Sequence, residues 1–333
     1  MKQMMLGLFL LLLSLWNLVF GWADQLAPLC YISIALLFAG VLVFCLGYAN
    51  KDRPSPTAPP RLTPIPDPVT GESDVLVDDL FREFSALPQV EAIALGGSRA
   101  GEAYDEASDY DVYLYCTAPI DVETRRSILS RYCFLTELGN HFWEYEDNCI
   151  LRGGTEMDIL YRDLDSFCAD VASVVEQCQP RNGYTTCMWH NLLTCRILYD
   201  RDGRLAQAKE RFDVPYPYAL KEAILRRSHA LLSDSLPSYE GQIQKAAKRG
   251  DLVSLNHRTA AFLESYFDLL FALNEQTHPG EKRLVQLCRE RCAILPERFE
   301  ENLDQLFSHL FSAPERVPED LRRILTALSP LLP

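Results

Sequence analysis

Positive charge is scarce in this sequence. Its 333 residues carry 32 Lys and Arg against 46 Asp and Glu, a formal net charge of −14. Such a surface repels phosphate backbones, which disfavours broad nucleic-acid binding outside a local basic patch. Histidine is short as well: six are scattered along the chain, with no partner spacing that would frame a Ser-His-Asp arrangement. The 11 cysteines lack the spacing of a disulfide framework. Cys288 and Cys292 can share a helix face, but no nearby His or second Cys pair completes a zinc set. Free thiols in a reducing compartment are the simpler reading. There is no internal repeat. What is present is a chain 48% hydrophobic, long enough for one or two sizeable cores.

The first fifty residues add nothing to the charge, because Lys2 and Asp24 cancel. Residues 3–23 and 25–50 are both uncharged, and each reaches the roughly 20 residues that cross a bilayer. Lys2 flanks one outer end, Lys51 and Arg53 the other. By the positive-inside rule this is a transmembrane hairpin over 1–50 with both termini in the cytoplasm, which places the rest of the chain at the cytoplasmic membrane. A cleaved signal peptide ending near Gly21 and Ala23, followed by a single anchor, is the alternative. Residues 52–73 hold seven prolines and read, within a linker over 51–73, as a semi-rigid tether.

Beyond the tether the pattern alternates between helix and strand. Ser73 can cap a helix to about Leu87, with Leu76, Val77, Leu80, Phe81 and Phe84 on one face. VEAIAL reads as a strand ending at Gly96–Gly97, and DYDVYLYC as a strand with Asp109, Asp111, Tyr113 and Tyr115 on one face. Asp121 caps a helix expected to run to about Leu138. HFWEYEDNCIL, TEMDILY and ILYD follow as strands. From about Tyr216 the texture is helical, and the stripe Phe262, Tyr266, Leu269, Leu270 and Leu273 is core. The expectation is an α/β head with a mixed sheet over 74–205 and an all-α domain over 206–333.

Chemistry concentrates in GGSRAGEAYDEASDYDVYLYC, residues 96–116. Asp109 and Asp111, two apart on a strand, project their carboxylates from one face. Two hard oxygen donors so placed suit Mg²⁺ shared with water and phosphate oxygens. Upstream, Gly96 and Gly97 let the backbone approach a phosphate, and the Ser98 hydroxyl can hold its oxygens; a helix starting at Ser98 would add a favourable dipole. Asp158, on another strand with Glu156 pointing the same way, supplies a third carboxylate as ligand or proton acceptor.

GGSRA followed by SDYDVYLY resembles the signature of the nucleotidyltransferase superfamily, the fold shared by DNA polymerase beta and aminoglycoside adenylyltransferases. The resemblance implies that Gly96, Gly97, Ser98 and Ser108 meet a nucleoside triphosphate, while Asp109, Asp111 and Asp158 serve metal binding and catalysis. GGTEMDILYRDL, TTCMWHNLLTCRILYDRDGRL and ALNEQTHPGEKRL extend it, over about residues 75–333, to an uncharacterised bacterial branch with a helical C-terminal half. The activity implied is adenylyl transfer from ATP or another triphosphate, with Mg²⁺, to a hydroxyl of a small acceptor. The alternative is a non-catalytic nucleotide-binding or antitoxin-like module at the membrane.

Arg99 and Lys282 are further candidates for phosphate contact, each weighed against a solvated turn. His190 reads as a packed residue, Asp200 and Asp202 as turn chemistry, and Tyr216 and Tyr218 as junction packing. A basic groove around Arg226, Arg227, Lys245 and Lys248 would favour RNA or protein acceptors instead.

Overall fold

The computed structural model describes residues 73–100, 108–142 and 144–332. The hairpin and nearly all of the tether lie outside the described residues. Among those residues no helix is long and apolar enough to cross a membrane. All of them fall in one compact unit, Pro66–Pro333.

The head is a six-stranded mixed sheet in the order β3-β4-β5-β2-β1-β6. Its strands are β1 (Val90–Leu95), β2 (Tyr110–Cys116), β3 (Cys133–Asn140), β4 (Glu146–Leu151), β5 (Glu156–Arg162) and β6 (Arg196–Asp200). Every neighbouring pair is antiparallel except β2 and β5, which run parallel with Asp111 beside Asp158.

The alternation of β2 sorts its residues onto two cores. Tyr110, Val112, Leu114 and Cys116 pack with Val77, Leu80 and Phe84 of helix α1 (Ser73–Ser85) and with Ile128 and Leu129 of α2 (Val122–Tyr132). Leu80 and Phe84 are fully enclosed, each contributing on the order of 2 kcal/mol of burial. Tyr113 and Tyr115 face the other way, onto α3 (Leu164–Val175), α4 (Cys187–Thr194) and α5 (Arg204–Phe212). Leu220 and Ile224 of α6 (Tyr218–His229) and Ala272 of α8 (Leu252–Leu273) join that second core, so the helical half is fused to the sheet. A third core lies among α7 (Tyr239–Arg249), α8, α9 (Leu284–Arg291), α10 (Phe299–Ser312) and α11 (Val317–Leu328); the stripe Phe262, Tyr266, Leu269, Leu270 and Leu273 is buried in it.

The helix expected to reach Leu138 ends at Tyr132. Asp121 caps it as expected, accepting from Glu123 N and Thr124 N, but the chain turns extended at Cys133 and becomes edge strand β3. Pairing with β4, from Cys133 opposite Leu151 to Asn140 opposite Glu146, satisfies backbone groups that a continued helix would have kept to itself. Tertiary pairing overrides local texture here.

Beneath that corner lies a buried ion pair. Arg125 and Asp147, 1% and 0% exposed, join through Nη1 and Oδ1. Asp147 also accepts from the Tyr161 hydroxyl (2.8 Å) and from Gly139 N (2.8 Å), while Arg125 donates to the Tyr145 hydroxyl.

Candidate active site

The end of β1 is pressed onto the outward face of β2. Gly96 N donates to the Asp111 carbonyl at 2.7 Å. A Cβ on Gly96 would sit 2.3 Å from the Tyr113 hydroxyl, and one on Gly97 only 1.8 Å from Asp111 Oδ2. Gly97 also has φ +57, the left-handed region where a side chain is strained. The double glycine is therefore what lets backbone lie directly over a carboxylate. Gly97→Ala is expected to cost roughly 1–3 kcal/mol and to push the Asp111 carboxylate aside, which urea unfolding and Mg²⁺-dependent ligand binding will show.

Asp111 and Asp158 stand abreast on the parallel pair. Asn148, opposite Asp158 on β4, donates to its Oδ1 at 2.7 Å and is itself held by Asn140 Nδ2 at 2.7 Å. Lys282 reaches in from the segment between α8 and α9, its Nζ 3.8 Å from Asp109 Oδ2. Gly97, Asp109, Asp111, Asp158 and Lys282 line one cleft of about 470 Å³. Glu144, Glu146 and Glu281 add further acids, and Arg162 and Arg181 are the other cations. Arg162 is committed to Glu144 by Nε (2.8 Å) and Nη2, and lies 4.0 Å over the Tyr113 ring.

Four expected contributors sit differently. Arg99 is absent from this cleft: its Nε donates to the Ser108 carbonyl at 2.7 Å and its guanidinium lies 3.9 Å over the Tyr110 ring. Ser98 and Ser108 are half-buried and do not line the cleft, and the helix expected from Ser98 is a single three-residue 3₁₀ turn, Ser98–Ala100, too short to offer an N-terminal dipole. Glu156 is exposed on β5 away from the cleft; Glu146, only 3% exposed, is the extra carboxyl beside Asp158. Glu146 and Asn148 share a face by the same two-residue spacing as Asp109 and Asp111, but EYEDNC does not reveal which strand it abuts.

The electrostatics call for a cation. Burial pushes the Asp111 carboxyl up, and the charges of Asp109 and Asp158 add to that lift, against a lowering by Lys282. Burial and Asp158 likewise raise Glu146. Among the described residues no group of three or more His, Cys, Asp and Glu forms a ready-made metal cluster. The donor set that fits Mg²⁺ is the Asp109 and Asp111 pair, with Asp158 alongside, since this ion takes one or two carboxylates and fills its shell with water and phosphate oxygens.

The same cleft carries Tyr184, Cys187, Met188 and Asn191 on one stretch and Pro279, Gly280, Glu281 and Lys282 on another. Residues 184–284 match the family described as Domain of unknown function (DUF4037). Among solved structures, a nucleotidyltransferase-like protein from Exiguobacterium sibiricum 255-15 is 11% identical, with 78% of this chain and 74% of that one covered at a TM-score of 0.35. An aminoglycoside 6-adenyltransferase from Bacillus subtilis is 10% identical, covering 77% and 91% at a TM-score of 0.23. No curated protein matches. These likenesses are slight, and the functional reading rests on the cleft's own residues.

The other sequence candidates have structural roles. His190 Nδ1 meets Thr277 Oγ1 at 2.7 Å, and burial, aided by Arg291, lowers its pKa to about 4, so the ring is neutral. Cys288 and Cys292 are buried against each other. Asp200 accepts from Ala206 N, Tyr216 packs on Trp189, and Arg227 bonds Asn182.

Asp268 on α8 clamps the segment that leads into α4. It accepts from Thr185 N (2.9 Å) and Thr185 Oγ1 (2.6 Å), and burial lifts its pKa to about 6 despite those bonds. The folded chain thus holds this proton more tightly than the unfolded chain. Stability is greatest below the unfolded value of 3.8 and falls as pH rises through about 6. Asn preserves an acceptor for Thr185 N. The stability of Asp268→Asn minus that of the parent should therefore increase by roughly 3 kcal/mol between pH 4 and pH 7.5, measured by denaturant unfolding.

Proposed function

We propose that this chain is a Mg²⁺-dependent nucleotidyltransferase that moves a nucleoside monophosphate, AMP from ATP, to a hydroxyl of a small acceptor and releases pyrophosphate. The observation that carries the proposal is the position of Asp111 beneath Gly97, with Asp158 abreast of Asp111 and Lys282 beside Asp109.

Each residue has a part. Gly96 and Gly97 admit a phosphate close to the backbone. Lys282, 73% exposed and only loosely paired, leaves Asp109 for the phosphates. Asp109 and Asp111, with Asp158, would hold Mg²⁺, which when bound offsets charge on the phosphates and on departing pyrophosphate. Asn148 keeps Asp158 oriented. The acceptor hydroxyl gives its proton to the Glu146 carboxylate, its oxygen bonds the α-phosphorus, and the bond from that phosphorus to the bridging oxygen breaks. The acid surplus suits a small acceptor better than a nucleic acid. The uncharged runs in 1–50 support a multi-pass anchor with the catalytic part in the cytoplasm.

The test is pyrophosphate release by the full chain in detergent, with ATP, Mg²⁺ and a pooled panel of hydroxylated small molecules, beside Asp109→Asn. Release that needs both an acceptor and Asp109 is expected. Mg²⁺-dependent ATP binding with no release across the panel would favour the non-catalytic module, and neither binding nor release would sink the proposal.

A further inference from the structure

Tyr184 holds a backbone conformation that its side chain opposes, with φ +51. Such a conformation persists only when the surroundings over-determine it, and it tends to mark ligand sites. Here the surroundings are explicit. The Tyr184 carbonyl accepts from Cys187 N at 3.0 Å. Thr185 is clamped by Asp268, and Thr186 Oγ1 accepts from His278 N at 2.8 Å. On the other side a Cβ on Gly183 would lie 3.0 Å from the Glu264 Cβ, so the chain is pressed against α8. The ring itself stands edge-on to buried His278, with centroids 4.9 Å apart. Everything around Tyr184 is fixed, yet its ring is half-exposed and lines the cleft of Asp109 and Asp111.

That cleft has two aromatic rings among its described lining residues, Tyr113 and Tyr184. Tyr113 is spoken for: it is 6% exposed, Arg162 covers it at 4.0 Å, and Gly96 lies against its hydroxyl end. Tyr184 is the ring left with an open face, with Met188 one turn further on beside it. A nucleoside triphosphate has one part that is flat, apolar on its faces and in need of such a surface. We propose that Tyr184 is the platform on which the base of the nucleotide stacks, held in a strained backbone so that its face is presented before the ligand arrives. This inference rests on the nucleotidyl-transfer reading. Stacking tolerates any base, so the contact adds affinity for the nucleotide without choosing among the four.

The test measures binding of ATP, CTP and inorganic tripolyphosphate, each with Mg²⁺, to the full chain by calorimetry, for the parent, Tyr184→Phe and Tyr184→Leu. Tyr184→Phe should stay within about twofold of the parent for all three ligands. Tyr184→Leu should weaken ATP and CTP by about tenfold or more, and tripolyphosphate by less than twofold. Tyr184→Gly, which relieves the backbone, should raise Tm while weakening both nucleotides as Leu does. Equal loss of tripolyphosphate in Tyr184→Leu would mean a collapsed cleft, and unchanged ATP affinity a base placed elsewhere; either overturns the platform. A parent that binds tripolyphosphate as tightly as ATP also overturns it and leaves the phosphate site standing. A parent that binds none of the three overturns the nucleotidyl-transfer reading as well.

Discussion

Asp111→Asn is expected to cut acceptor-dependent pyrophosphate release by about a thousandfold, roughly 4 kcal/mol of transition-state stabilisation, while making the protein more stable. The two effects share one cause. Asp111 is largely buried, with Asp109 and Asp158 as neighbours and Lys282 as the countering charge, so its carboxyl is lifted by burial first and by those acids next. Asparagine keeps the shape that fits beneath Gly97 and removes the charge. It therefore removes repulsion in the unliganded cleft together with the donor that would share Mg²⁺ with the phosphates. The folded chain holds the Asp111 proton more tightly than the unfolded chain, so the parent gains stability on the variant as pH falls. A variant that loses both activity and stability would show instead that Asp111 is structural. Thermal unfolding with and without Mg²⁺ separates the cases, since the parent should gain Tm from the ion and the variant should not.

Asp147→Ala is expected to destabilise the fold by about 3–5 kcal/mol, read by urea unfolding. Its carboxylate is fully enclosed and takes bonds from Arg125, the Tyr161 hydroxyl and Gly139 N. Deleting it leaves a buried guanidinium without its counter-charge, and a phenol and an amide without this acceptor. The size of the loss reflects that uncompensated charge more than the strength of the pair. The double variant Arg125→Met with Asp147→Leu should accordingly lose less than Asp147→Ala alone, and a double-mutant cycle reports the difference. Activity should fall in step with the folded fraction, because Tyr161 and Tyr145 back the strands that carry Asp158 and Glu146.

What the sequence could disclose followed the range of each signal. Period-two alternation put Glu156, Asp158 and Leu160 on one face of the β5 segment and Asp109 and Asp111 on one face of the β2 segment; the core shared by Tyr110, Val112, Leu114, Met157 and Ile159 bears out the opposite faces, with Asp109 one residue ahead of β2. The double glycine announced a close approach, and the structure names its object, the Asp111 carboxylate. Strand β3 was illegible because ILSRYCFLTEL has helical texture and its strand character comes from pairing with β4. Arg99 was misplaced for a short-range reason: one residue in a three-residue turn carries a side chain to the opposite side of the sheet. Glu146, Asn148 and Tyr184 were missed for a long-range one. Their meaning depends on which strand or helix they abut, and no spacing within a single segment encodes that.

The cleft joins residues separated by most of the chain, from Gly97 to Lys282. At cellular elongation speeds, roughly 10 to 30 s pass between synthesis of Asp111 and synthesis of Lys282. Throughout that interval the nascent polypeptide displays its acids without the lysine, and for the first part of it without Tyr184's wall. A product truncated between β6 and residue 279 therefore has strands and carboxylates but no complete cleft. Completion of translation is in this sense the step that arms the site, and premature release yields an inert fragment instead of an unregulated one.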